Sequence, residues 1–198
     1  MRDCNAPRLG CVVMAAGNDR RFGENKLASQ LRGRSLILRT LETVPAELFD
    51  AIVVVTQYPE ICTMAEEFGF PWLKNDHPDW GAAYTIRLGT EAMAQCDAIL
   101  YLVADQPLLD AAAIAKILET WQETPDRIVA PAHDGRTGNP CIFPREFFPE
   151  LCQLQGDVGG KRVIKAHLDR LLTVEVAPDA LFDCDTPEAL AELRRTAE

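Results

Sequence analysis

The residues best suited to chemistry in this chain are a basic cluster near its start and a few aspartates far from it. Arg20, Arg21 and Lys26 lie in GCVVMAAGNDRRFGENK, where an apolar run passes into Ala15-Ala16-Gly17 and then a glycine-punctuated loop. Small residues let backbone N–H groups approach an anion closely, and successive N–H groups form an anion-binding nest. Arg21 and Lys26 can then neutralise phosphate oxygens. The spacing matches neither a Walker loop nor a dinucleotide fingerprint. A solvated basic loop after an edge strand would carry the same letters.

Asp105 follows the apolar run AILYLV in Ala104-Asp105-Gln106-Pro107. A carboxylate at the end of a buried strand faces the crevice where α/β proteins bind ligands. A hard cation such as magnesium takes one or two carboxylates plus phosphate oxygens. The plainer alternative is that Asp105 opens a turn with Pro107. In Asp183-Cys184-Asp185-Thr186-Pro187 two carboxylates stand two residues apart and project to one side of an extended segment. One suits a metal site and the other a neighbour to be oriented. Capping of the last helix by Asp185 or Thr186 accounts for the same pattern.

Three further segments have polar character. In Asn75–Arg87, Gly81, Thr85 and Arg87 fall at or near a helix start and can read a base or bind phosphate, or belong to a surface helix. Gly138-Asn139-Pro140 shapes a pocket wall or makes a simple turn. Gly156-Asp157-Val158-Gly159-Gly160-Lys161 is a flexible substrate loop, with Lys161 reaching a phosphate, or a glycine-rich turn into a helix. His77, His133 and His167 have no ligand spacing and read as ordinary surface or loop residues.

The elements that must position these residues alternate. Gly10–Ala15, Ala51–Thr56 and Ala98–Val103 are apolar on both faces, as strands covered on both sides must be. Shorter strands are expected at Pro71–Lys74, Arg127–Ala132, Pro140–Phe143 and Leu172–Val176, with a turn at Asp134–Gly138. Helices are expected at Ser35–Val44, Pro59–Phe68, Gly81–Ala94, Asp110–Trp121 with Asp110 as N-cap, Gly159–Leu168, and after Thr186 with Pro187 in the first turn. Strand–helix alternation means parallel strands joined by right-handed crossovers, hence a three-layer α/β/α sandwich with a mostly parallel sheet.

The 198 residues suffice for one α/β domain over 1–198, with its core at about 8–196. A net charge of −10 repels nucleic acid and anionic membranes at long range, so an anionic ligand needs local cations, N–H dipoles or a metal ion. The seven cysteines form no CxxC pair, which argues for a reducing cytosol rather than a disulfide framework or zinc site. No signal peptide or membrane-spanning run is evident.

Taken together, these segments resemble the molybdopterin nucleotidyltransferases, most closely the molybdenum cofactor cytidylyltransferases of the MobA-like group. That family's AAGxSxRFGxxK stands here as AAGNDRRFGENK. Its DQP segment is matched by Asp105–Pro107, its Gly-x-Pro strand entry by Gly138–Pro140, its GDxGxR-like loop by Gly156–Lys161, and its DIDTP-like segment by Asp183–Pro187. The pieces occur in order along nearly the whole chain. Two segments depart from the pattern: Asp19 replaces a small or hydroxyl residue, and Thr85-Ile86-Arg87 replaces Ser-Leu-Arg.

The resemblance implies a Rossmann-like nucleotidyltransferase domain. It implies transfer of a cytidylyl group from CTP to the terminal phosphate of molybdopterin, with pyrophosphate released, for maturation of a molybdenum hydroxylase in the cytoplasm. It places the nucleotide at Ala15, Ala16, Gly17, Arg21, Lys26, Asn75, Gly81, Thr85 and Asp105, and Mg2+ on Asp105 and Asp185. It places the acceptor at Gly138, Asn139, Pro140, Gly156, Asp157, Gly159 and Lys161. Catalytic roles fall to Arg21, Lys26 and Asp105. Guanylyl transfer, another small-phosphate nucleotidyl transfer on the same fold, and a non-catalytic cofactor carrier are the competing expectations.

Overall fold

The computed structural model describes residues 6–17 and 25–196. Its centre is β1 (Leu9–Ala15), buried along almost its whole length. β1 is flanked in parallel by β4 (Ala51–Thr56) and β6 (Ala98–Val103), the other two apolar runs. β5 (Trp72–Lys74) extends the sheet beyond β4, again in parallel. On the other side β9 (Cys141–Pro144) runs antiparallel between β6 and β7 (Ile128–His133), and β10 (Leu171–Glu175) pairs in parallel with β7. The order is β10-β7-β9-β6-β1-β4-β5, with β8 (Arg136–Thr137) hairpinned onto β7.

Seven helices are described: α1 (Leu36–Thr43), α2 (Pro59–Glu67), α3 (Ala82–Ala92), α4 (Ala111–Glu123), α5 (Phe148–Cys152), α6 (Lys161–Ala166) and α7 (Pro187–Thr196). Alternation along β1 sends Cys11 and Val13 to one face and Val12 to the other. On the first face they join Ile37 and Leu41 of α1, Ile61 of α2, and Ile114 and Trp121 of α4. On the second, Val12 joins Ile86 of α3, Leu151 of α5 and Val163 of α6. Two apolar layers on one sheet make the three-layer sandwich expected from the alternation. No helix among the described residues is long and apolar enough to cross a membrane.

Several details differ from the periodicity reading. β2 (Gln30–Leu31) and β3 (Arg34–Ser35) form a small separate hairpin, turned by Arg32 and Gly33 at positive φ. Strands of two residues carry no period to read. The expected Asp134–Gly138 turn contains β8, again through two positive-φ residues, Asp134 and Gly135. The expected helix at 159–168 is confined to Lys161–Ala166, followed by a 3-10 turn at Leu168–Arg170. α5 has no periodic signature in the sequence, because five residues supply little more than one turn of pattern.

Candidate active site

The carboxyl ends of β1 and β6 meet the segment before α7, and the chemistry-bearing residues converge there. Leu27 is buried in the core, which fixes the 3-10 turn Lys26–Ala28, and the Asn25 side chain caps that turn by accepting from the Leu27 N–H at 3.0 Å. Asn25 also donates to Glu60 of α2 at 2.9 Å. Lys26 therefore enters the crevice from a pinned turn, with its side chain only 8% exposed. Its Nζ donates to Asp105 Oδ2 at 2.8 Å and to Asp185 Oδ1 at 3.3 Å.

The two aspartates are brought together by backbone as well as by the lysine. The Cys184 N–H donates to the Asp105 carbonyl at 2.8 Å, and Gln106 Nε2 donates to Asp183 Oδ1 at 3.0 Å. Thr186 caps α7, its Oγ1 accepting from the Ala189 N–H at 3.1 Å. Asp185 is thus not the cap, and its carboxylate reaches Lys26 instead. Burial alone would lower the Lys26 pKa, but the carboxylates of Asp105 and Asp185 outweigh it and hold the ammonium above its ordinary value. Asp183 is held above the usual carboxylate range, first by burial and then by the neighbouring Asp105 charge.

Ala15, Ala16 and Gly17 lead out of β1 at the same end. Their carbonyls are each taken by consecutive residues leaving β4: Thr56 Oγ1 donates to Ala15 at 2.9 Å, Gln57 Nε2 to Ala16 at 3.0 Å and the Tyr58 hydroxyl to Gly17 at 2.9 Å. Pinning the carbonyls fixes the peptide planes of this turn. The motif reading missed Thr56-Gln57-Tyr58. The available signal was a polar run at the carboxyl end of a strand adjacent to β1.

The opposite wall is the start of α3. Gly81 has φ +77°, and a Cβ there would lie 2.5 Å from the Gly156 backbone. The two segments therefore touch, and only glycine fits. The Ala83 N–H donates to the Gly156 carbonyl at 3.2 Å and the Ala82 N–H to Asp157 Oδ1 at 3.4 Å, so the 156–157 segment satisfies the first turn of the helix. Asn75 is buried rather than on the wall. It donates to Thr85 Oγ1 at 3.0 Å and accepts from the His77 N–H at 3.0 Å, which places the threonine hydroxyl.

A cleft of about 820 Å³ joins these parts; Ala16, Gly17, Lys26, Gly81, Thr85, Asp105, Asp157 and Asp185 all line it. Gly138, Asn139, Pro140, Gly159 and Lys161 do not. Gly138 packs against Leu181, and its carbonyl accepts from Cys141 Sγ at 3.1 Å, while Asn139–Pro140 is a cis peptide. Lys161 is exposed at the start of α6. Arg20, Arg21 and Asp19 lie outside the described residues. The three histidines make surface contacts, such as His133 Nδ1 with Glu175 Oε1 at 2.9 Å and His167 Nε2 with Glu150 Oε1 at 2.9 Å.

The sequence matches the family model of the MobA-like NTP transferase domain over residues 11–171. The chain belongs to this family. Purine catabolism protein PucB of Bacillus subtilis is 28% identical over 204 residues, covering 96% of this chain and 98% of PucB. A probable molybdenum cofactor guanylyltransferase of a Nostoc strain is 24% identical, covering 94% and 90% of the two chains. The fold is shared with the crystal structure of Rv0371c from Mycobacterium tuberculosis in complex with manganese, at TM-score 0.74 and 20% identity, over 96% of this chain and 99% of that one.

For a MobA-like NTP transferase the charge of the cleft is instructive. Among the described residues lining it, Asp79, Asp105, Asp157 and Asp185 face a single ammonium, that of Lys26. Asp105 and Asp185 converge on one cation and offer hard oxygen donors. This donor set fits magnesium, which binds through one or two carboxylates and completes its shell with water and phosphate oxygens.

Proposed function

We propose that this protein moves a cytidylyl group from CTP to the terminal phosphate of molybdopterin, releasing pyrophosphate, and that it serves a cytoplasmic molybdenum hydroxylase. The observation that carries this reading is Lys26 held between Asp105 and Asp185 in the cleft of a MobA-like fold. An oxygen of the acceptor phosphate attacks the α-phosphorus, and the bond from that phosphorus to the oxygen bridging it to the β-phosphate breaks. Pyrophosphate leaves with the electron pair. The attacking oxygen is already ionised at neutral pH, so no general base is required and catalysis is positioning plus charge neutralisation.

Lys26 supplies fixed positive charge beside the phosphates, and Arg21 is assigned the same task. The stretch Ala15–Gly17, its carbonyls held by Thr56, Gln57 and Tyr58, carries the chain out of β1 to the triphosphate, with Ala16 and Gly17 on the cleft. Thr85 and the Gly81 backbone face the nucleoside, with Asn75 holding Thr85. Asp105 and Asp185 would hold Mg2+, which would supply charge neutralisation to the phosphates. The manganese complex of the Mycobacterium tuberculosis protein supports a divalent cation on this fold. Gly156, Asp157, Gly159 and Lys161 are assigned to the acceptor side, as are Gly138, Asn139 and Pro140.

Cytosine rests on the sequence resemblance. A second reading, guanine, is favoured by relatives named molybdenum cofactor guanylyltransferase. The test is pyrophosphate release with molybdopterin and each of CTP, GTP, ATP and UTP, with and without Mg2+. The expected result is release from CTP only when Mg2+ is present. Release from GTP alone reassigns the base, and no release from any of the four ends the transferase reading.

A further inference from the structure

Beside the cleft lies a second cavity of about 330 Å³, lined by Trp80, Tyr84, Arg87, Leu154, Gln155 and Gly156. The nucleotide cleft does not use it, although the two share a wall. Pro78, Asp79, Gly81, Ala82 and Thr85 present one side of this segment to the cleft. The intervening Trp80 and Tyr84 present the other side to the second cavity. The 156–157 turn divides in the same way, with Asp157 on the cleft and Gly156 on the cavity.

The cavity's chemistry is that of a ring-binding site. Trp80 is 48% exposed, although Trp121 is buried in the core. Its ring is held by His77, stacked at 4.1 Å between centroids and 7° between planes, and by Tyr84 in edge contact at 5.0 Å. Tyr84 is fixed in turn by its hydroxyl, which donates to Asp76 Oδ1 at 2.7 Å. The Arg87 guanidinium lies 4.8 Å from the Tyr84 centroid and 5.9 Å from that of Trp80. Aromatic faces and a planar cation, with Gln155 also in the lining, suit a planar ring with hydrogen-bonding edges.

We propose that this cavity is a subsite for the pterin ring of the acceptor, stacked against Trp80 with Arg87 at its edge. The inference rests on the transferase reading and adds to it the place where the acceptor's ring sits while its phosphate reaches across the shared wall to Lys26, Asp105 and Asp185. The same ring chemistry could come from the base of the triphosphate, and the experiment separates the two sources. Calorimetric titration of 6-hydroxymethylpterin, which carries no phosphate, and separately of CTP and GTP, is run on the full chain and on Trp80→Ala, Trp80→Phe and Arg87→Met.

The expected result is a pterin affinity at least about tenfold weaker in Trp80→Ala, largely restored in Trp80→Phe and reduced in Arg87→Met, with nucleotide affinities within twofold of the parent. Circular dichroism melts identify any variant that fails to fold, and Trp80→Phe and Arg87→Met keep the test decisive if Trp80→Ala is lost. Weakened nucleotide binding with unchanged pterin binding assigns the cavity to the base and overturns the proposal. Unchanged binding of both, or no pterin binding to the parent, overturns it as well. Pyrophosphate release is read separately: if it persists while the pterin arm fails, only the subsite falls.

Discussion

Lys26 keeps its charge in a place that opposes it. Burial lowers its pKa, yet Asp105 and Asp185 raise it further, so the ammonium is what the crevice is built around. Lys26→Met is expected to weaken triphosphate binding by at least about tenfold in a calorimetric titration. It should also cost about 1–2 kcal/mol of stability, less than the ~3–5 of a fully buried pair, because Asp185 is 53% exposed and screened by water. A lysine whose folded pKa is raised contributes fully below its unfolded value, near 10.4, and loses that contribution only as pH rises through the folded value. The deficit measured by urea unfolding should therefore be the same at pH 6 and pH 8. Asp105→Asn keeps shape and removes one charge. Pyrophosphate release should fall by at least about 100-fold with the melting temperature little changed, and near-parental release would remove Asp105 from the centre.

At the scale of elements, α3 makes two close approaches with different consequences. Gly89 faces Val12 of β1, and a Cβ there would lie 2.5 Å from a buried methyl group. Gly81 faces the Gly156 backbone at the cleft and combines the clash with positive φ. Gly89→Ala is expected to lower stability by about 1–3 kcal/mol through displacement of the helix from the sheet. Gly81→Ala should cost a similar amount and also raise the KM for nucleotide, because it separates the two segments that form the wall. Parallel melts and steady-state kinetics distinguish the pair.

β4 and β6 were readable to the residue because strands covered on both faces are unbroken apolar runs, and Asp110 was readable as a cap because its carboxylate accepts from the Ala113 N–H. Lys26, Asp105 and Asp185 could be named from motifs. The contact from Lys26 to Asp185 could not, since 159 residues separate them and the bonds that bring the segment before α7 to the end of β6, Cys184 N–H to the Asp105 carbonyl and Gln106 to Asp183, are equally remote in sequence. The insertion of β9 antiparallel between β6 and β7 has no local signature. Thr56, Gln57 and Tyr58 were missed for a related reason: their role is to hold another strand's carbonyls, which no spacing within 56–58 reveals.

For the whole molecule, a chain of net charge −10 gathers its site residues at one end of the sheet and keeps four of its thiols inside. Cys11, Cys96, Cys141 and Cys184 are buried; burial pushes the Cys141 thiol up to about 12 and raises the others too. Unfolded thiols ionise near pH 9 while the folded ones stay protonated. The folded state thus binds more protons, and stability falls as pH rises above about 9. The urea midpoint should be lower at pH 10 than at pH 8, and Cys141→Ala should reduce that difference. A midpoint independent of pH across this range would contradict the burial of these groups.

The proposed reaction requires a divalent cation and a triphosphate to meet at Lys26, Asp105 and Asp185. A crystal of the full chain grown with Mn2+ and a CTP analogue carrying a methylene between its α- and β-phosphates tests it directly. The expected result is an anomalous manganese peak bonded to carboxylate oxygens of Asp105 and Asp185, with Lys26 on the phosphates. A peak elsewhere, or a triphosphate bound away from Lys26, would contradict it.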